Sequence, residues 1–279
     1  MKKGISIWSF PSAPLKDSFA LAKDAGFEGV EVALDATGEL SLESTEQELL
    51  AIRRQADDAG IQLYSVACGL YWDYWLNDED DAKRSKAKDI VKKQLSCASA
   101  LGCESILVIP GCVNADFADP NKVCDYEVAY NRSLEALQEL KAVAEEYKVE
   151  IGLENVWNKF LLSPLEMRGF IDAIGSKYVG SYLDIGNTLS NGYPEQWVRI
   201  LNDRIKKVHF KDYRKAAGGL HGFVDLLAGD VNYPAVMQAL NEIGYDGWVS
   251  AEMIPNYTYH TEAIIYNTSL AMDKILGRK

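Results

Sequence analysis

Four short segments in the second half of the chain each end an apolar, strand-like run with a side chain able to ligate a metal. They are Glu154 in IGLENV, Asp184 in YLDIGN, His209 in KVHFKD and Glu252 in VSAEM. Three carboxylates and one imidazole suit a hard or borderline divalent cation such as Mn²⁺, Co²⁺, Mg²⁺ or Zn²⁺, and match copper or an iron–sulfur cluster poorly. Singly, each residue has a plainer explanation. A strand-end glutamate is often a surface charge, Asp-Ile-Gly-Asn is good turn chemistry, and a histidine between Val208 and Phe210 can be a satisfied core residue. Together, on four successive strand ends, they are hard to explain by packing if those ends converge.

Convergence depends on the elements that carry them. Apolar or β-branched runs occur at Gly4–Trp8, Gly29–Leu34, Gln62–Cys68, Ser105–Pro110, Glu150–Val156, Val179–Ile185, Ile205–Phe210 and Trp248–Met253. Between them lie stretches of helical period, such as Leu134, Leu137, Leu140 and Ala144. Thr45 with Glu48 reads as a capping box, and Gly26, Gly60, Gly102 and Gly244 stand where helices must stop before the next strand. No glycine-rich GxGxxG turn supports a dinucleotide fold. Eight strand–helix units predict one (β/α)₈ TIM barrel of the α/β class over residues 1–279. Its active site is expected at the carboxyl-terminal rim of the strands, where loops after the fifth to eighth strands place the four ligands side by side.

Composition narrows the partners. The net charge of −12, with no lysine or arginine cluster, disfavours nucleic acid and membrane surfaces. Five cysteines without zinc-type spacing read as reduced, packed thiols. No apolar run approaches the roughly 18 residues of a membrane helix, and Pro11 and Pro14 break up the amino-terminal stretch, so a cytoplasmic protein is expected.

The ordered set Glu154-Asn155, Asp184-Ile185-Gly186-Asn187, His209-Phe210-Lys211-Asp212 and Glu252 resembles the xylose-isomerase-like barrels, in particular their sugar and sugar-phosphate epimerase/isomerase branch. The resemblance implies one divalent metal, often Mn²⁺ or Co²⁺, held by the four residues, with Glu154 and Glu252 also exchanging the substrate proton. Similar ketose 3-epimerases carry a histidine where this chain has Asn187. The DxGN form looks more like the members acting on pentulose 5-phosphates. The chemistry agrees with the residues. Epimerisation removes a proton from carbon beside a carbonyl, a metal stabilises the resulting enediolate, and two carboxylates can move the proton between faces.

Expected substrate contacts are Asn187, Arg214, Lys211, Trp8, Trp72 and Lys159. The glycines of the loop holding Lys215, Gly218, Gly219 and His221 would let backbone N–H groups reach a phosphate. Aromatics that could cover the sugar or mediate subunit contacts follow the first strand (Trp8, Phe10), the third (Tyr71, Trp72, Tyr74, Trp75) and the fifth (Trp157, Phe160). The expected partner is a small sugar or sugar phosphate, with a homodimer or homotetramer left open. Alternatives are an aldose–ketose or hydroxypyruvate-type isomerase, an abasic-site endonuclease, and a non-catalytic sugar-binding barrel. The endonuclease needs a trinuclear zinc cluster, and this chain has three histidines.

Overall fold

Apolar runs become strands, and the amphipathic stretches become the helices that cover them. The computed structural model describes residues 1–278. Its strands are β1 (Lys2–Ser6), β2 (Gly29–Leu34), β3 (Gln62–Cys68), β4 (Ser105–Val108), β5 (Glu150–Glu154), β6 (Val179–Asp184), β7 (Ile205–Phe210), β8 (Asp212–Tyr213), β9 (Phe223–Val224) and β10 (Trp248–Ala251). The helices are α1 (Leu15–Asp24), α2 (Glu46–Ala59), α3 (Asp81–Leu101), α4 (Tyr126–Tyr147), α5 (Pro164–Ile174), α6 (Pro194–Leu201), α7 (Tyr233–Glu242) and α8 (Ala263–Ile275). Strands β1 to β7 and β10 close into an eight-stranded parallel barrel, the TIM-barrel fold expected from the alternation. None of the described helices is long and apolar enough to cross a membrane.

The barrel strands fall on the expected runs, and β2, β3 and β7 have the expected bounds. Elsewhere the ladder stops one or two residues early as the chain peels into a rim loop; at β4 the expected end, Pro110, has no N–H to donate. The antiparallel β8–β9 ribbon was not expected, since two-residue strands are too short to show a period. Thr45 and Glu48 form the capping box at α2, and Gly60 and Gly102 end α2 and α3 at φ of +69° and +77°. All five cysteines are free and buried.

Large aromatic and polar groups fill the barrel lumen. Tyr64 stacks on Trp248 with centroids 4.1 Å apart, and its hydroxyl lies 2.7 Å from Ser250 Oγ. Strand glycines make room for these rings. A Cβ on Gly152 would fall 2.8 Å from Tyr182 Cδ2, and one on Gly29 would fall 2.6 Å from Trp248 Cη2. Gly152→Ala is therefore expected to overpack the lumen and destabilise the chain by roughly 1–3 kcal/mol. Urea denaturation checks this, and an unchanged midpoint would show that the ring has room to move.

Candidate metal centre and the cavity above it

Strand register brings the four expected ligands together. Glu154 ends β5, Asp184 ends β6 directly opposite His209 of β7, and Glu252 follows β10 with its N–H on Phe210 O at 3.1 Å. One ligand atom from each lies within 4.8 Å of the others, and all four side chains are buried. Because they project from strand ends, the barrel itself fixes their separation.

Neighbouring groups aim these side chains. Asn155 ties β5 to β6, its Nδ2 donating to Asp184 O and its Oδ1 accepting the Asp184 N–H, both at 2.9 Å. Asp184 divides its two oxygens. Oδ1 accepts the Asn187 N–H at 2.7 Å, the turn role its sequence suggests, while buried Oδ2 makes no hydrogen bond. Lys211 Nζ stands 3.4 Å from that oxygen, within ion-pair reach. His209 Nδ1 lies 3.3 Å from Glu154 Oε1 and 3.9 Å from Glu252 Oε2.

The opposite nitrogen of His209 meets a residue that sequence reasoning missed. Nε2 is 3.0 Å from Oε1 of Glu31, a fully buried carboxylate on β2 whose other oxygen accepts a hydrogen bond from the Tyr182 hydroxyl. The Tyr182 ring also packs 4.6 Å from the imidazole. With a proton on Nε2 donated to Glu31, Nδ1 offers its lone pair toward the other carboxylates, as a histidine ligand backed by a carboxylate does. One signal was available: Glu31 is the single charge within GVEVAL, where an apolar run gives no reason for it.

Lys211 is buried, and its ammonium pairs with Glu252 as well as Asp184. Gly186 permits this approach, since a Cβ there would fall 2.8 Å from Lys211 O. Burial pushes Glu154 up to about 7, with the nearby Glu252 charge adding to the rise and His209 opposing it. Burial acts to raise Glu252 too, but Lys211 and His209 outweigh it and leave that carboxyl below its usual range. For Lys211 and His209, burial favours the neutral form, and the surrounding carboxylates overcome it to raise both. An orphaned carboxylate oxygen among clustered acids and one oriented imidazole fits a divalent cation of the Mn²⁺, Co²⁺, Mg²⁺ or Zn²⁺ type.

A cavity of about 830 Å³ opens above this floor. Four of the expected substrate contacts, Trp8, Trp72, Asn187 and Lys211, line it, as does Trp157, and of the four candidate ligands only Glu154 and Glu252 reach it. Arg214 and Lys159 are not among its lining residues: the Arg214 guanidinium bonds Ala228 O, and Lys159 Nζ lies 2.7 Å from Asn114 Oδ1 and 2.8 Å from Asp116 Oδ1. Phe10, Tyr71, Trp75 and Phe160 pack into the hydrophobic core behind the rim, while Tyr74 is half-buried against it. The β7 loop, expected to offer backbone N–H groups to a phosphate, also encloses a buried acid of its own. It folds around the Asp212 carboxylate, which accepts N–H groups from Tyr213, Leu227, Gly229 and Val231 at 2.8, 2.9, 3.2 and 3.1 Å.

A closed barrel with an acid-rich cluster at its mouth defines a class, and comparison with known proteins supplies the family. Residues 19–269 match the family described as Xylose isomerase-like TIM barrel, and the chain belongs to it. It is 25% identical over 236 residues to L-ribulose-5-phosphate 3-epimerase UlaE of Salmonella heidelberg, covering 84% of this chain and 80% of that protein. An uncharacterized protein of Methanocaldococcus jannaschii is 26% identical over 260 residues, covering 90% of this chain and 83% of its own. Among solved structures, a D-psicose 3-epimerase crystallised in the presence of D-fructose superposes with a TM-score of 0.81 at 21% identity, covering 99% of this chain and 100% of that one.

Two outcomes are expected. Glu31→Gln should weaken Mn²⁺ binding by about 10- to 100-fold in calorimetry of the metal-stripped protein; wild-type affinity would remove Glu31 from any role in orienting His209. Because Glu154, whose proton burial holds up to about 7, and His209, raised by the surrounding carboxylates, must both lose a proton to ligate, Mn²⁺ affinity should fall as the pH drops through and below about 7. The slope approaches about ten-fold per pH unit for each proton displaced. Affinity that stays flat from about pH 8 down to about pH 5.5 would contradict it.

Proposed function

We propose that this chain is a divalent-metal-dependent epimerase of a ketose or ketose phosphate, working at the carboxyl-terminal mouth of the barrel. The observation that carries this reading is the division within the cluster: four buried donors converge, yet only Glu154 and Glu252 also face the cavity. Those two glutamates hang from β5 and β10, with β6 and β7 between them around the barrel. They therefore flank a sugar lying on the floor.

Glu154, Asp184, His209 and Glu252 would hold one metal ion, which when bound polarises the substrate carbonyl and offsets negative charge developing on its oxygen. Glu154 and Glu252 act on opposite faces of the carbon beside that carbonyl. One carboxylate takes the proton, the other carboxyl returns one from the far side, and the configuration inverts. Lys211 keeps Glu252 ionised through their ion pair, while Asn187 and Asn155 hold the rim between β5 and β6 in place. Trp8, Trp72 and Trp157 shield the carbanionic centre from water.

The family match and the printed activities of UlaE and the D-psicose epimerase support this reading. Mn²⁺ or Co²⁺ suits the oxygen-rich donor set, and five buried free thiols support a cytoplasmic location. Aldose–ketose isomerisation by the same residues differs only in where the proton is returned. A trinuclear zinc endonuclease fits the donors less well, since the metal-capable group among the described residues contains a single histidine.

Solvent-deuterium exchange on a panel of ketoses and ketose phosphates with Mn²⁺ tests the proposal. Label at C3 is expected for epimerisation, label at C1 or C2 would mean isomerisation, and no label in any sugar would end the proton-transfer reading, leaving hydride transfer or a non-enzyme. Glu154→Gln and Glu252→Gln should each lower kcat by about 10²- to 10⁴-fold while circular dichroism stays unchanged. Either variant turning over at the wild-type rate would take that residue out of proton transfer.

A further inference from the structure

Most side chains lining the cavity above the floor are apolar. Its volume of about 830 Å³ lies in the range of sites that enclose a drug-sized molecule. Two aromatic pairs form parts of its wall. Trp72 and Phe117 meet edge to face at 4.7 Å, and Trp157 and Phe223 lie 5.1 Å apart. Trp8 and Ile254 are among the other apolar lining residues, and Phe117 keeps 43% of its surface exposed toward solvent. Apolar rings at a solvated mouth gain by burial against another apolar ring.

Charge at the same mouth disfavours a phosphate. The lining carries two basic side chains, Lys211 and His221, and Lys211 is already paired with Asp184 and Glu252. Arg214 and Lys159 are engaged elsewhere. Many backbone donors of the β7 loop are taken as well. Four go to the Asp212 carboxylate, Lys215 N–H goes to Asp230 at 2.8 Å, and the N–H groups of Arg214, Gly222 and Ala228 bond carbonyls within the loop. A phosphomonoester brings about two negative charges. Lys211 is committed to the floor carboxylates, which leaves His221 as the one lining basic side chain to meet them.

We propose that the preferred substrate is an uncharged keto sugar carrying an apolar ring at the end remote from its carbonyl, the sugar lying on the Glu154–Glu252 floor and the ring against these aromatic pairs. This rests on the epimerase reading above and narrows its substrate.

The test uses the full chain loaded with Mn²⁺, titrated calorimetrically with a ketohexose, its 6-phosphate and its 6-O-benzyl ether, with turnover of each followed by NMR in D₂O. The benzyl ether is expected to bind at least about ten-fold more tightly than the other two and to give the highest kcat/KM. Phe117→Ala should reduce that advantage by about ten-fold. A 6-phosphate that binds as tightly as the ether, or an ether no better than the parent sugar, overturns the proposal. If the expected binding order holds but deuterium enters none of the three, the ring site stands and the epimerase reading falls. If none of the three binds, both fall.

Discussion

Four carboxylates, from Glu31, Glu154, Asp184 and Glu252, surround one buried imidazole. Like charges at the 4.8 Å limit that holds for Glu154, Asp184 and Glu252 repel by about 3–4 kcal/mol per pair at an effective dielectric near 20. Such a group persists only where positive charge is supplied and the side chains cannot swing apart. The chain supplies the Lys211 ammonium and a His209 ring held ready for a proton. Strand ends supply the rigidity, Asn155 locks β5 to β6, and Gly186 lets Lys211 close in. Much of the local sequence around the mouth answers this one electrostatic requirement.

The lumen belongs to the same solution. Tyr182 presents its hydroxyl to Glu31 and its ring to His209, and it occupies that place because Gly152 has no side chain to exclude it. A glycine two residues before Glu154 thus shapes the surroundings of His209 two strands away. Coupling of this kind runs through packed side chains in a close-packed interior, where a shift at one ring is felt by its neighbours.

Sequence patterning revealed what is periodic or local. The eight strands announced themselves as apolar runs, helix ends by glycine, and the α2 capping box by Thr45 and Glu48. The convergence of the four candidate ligands was legible because a barrel turns strand ends into neighbours. Glu31 was not, because its partners lie 151 and 178 residues away and only the closed barrel brings them near. Loop residues were hardest to read. Tyr71 and Trp75 look like rim aromatics but point into the core, and Arg214 turns to a carbonyl 14 residues on. No period governs such segments, so their long-range contacts have to be seen.

Asp212 has one more consequence. Its carboxylate gathers N–H groups from residues 213 to 231, while the β8–β9 ribbon pairs across the same stretch. The segment therefore satisfies many of its own donors, and Phe223 stands out from it to form part of the cavity wall. The floor, by contrast, hangs from barrel strands and draws Lys211 alone from just before this stretch. A self-contained wall beside a strand-borne floor is a unit that gene duplication or loop grafting could exchange whole. Among relatives, that would let substrate preference diversify quickly while the acid cluster beneath stays the same.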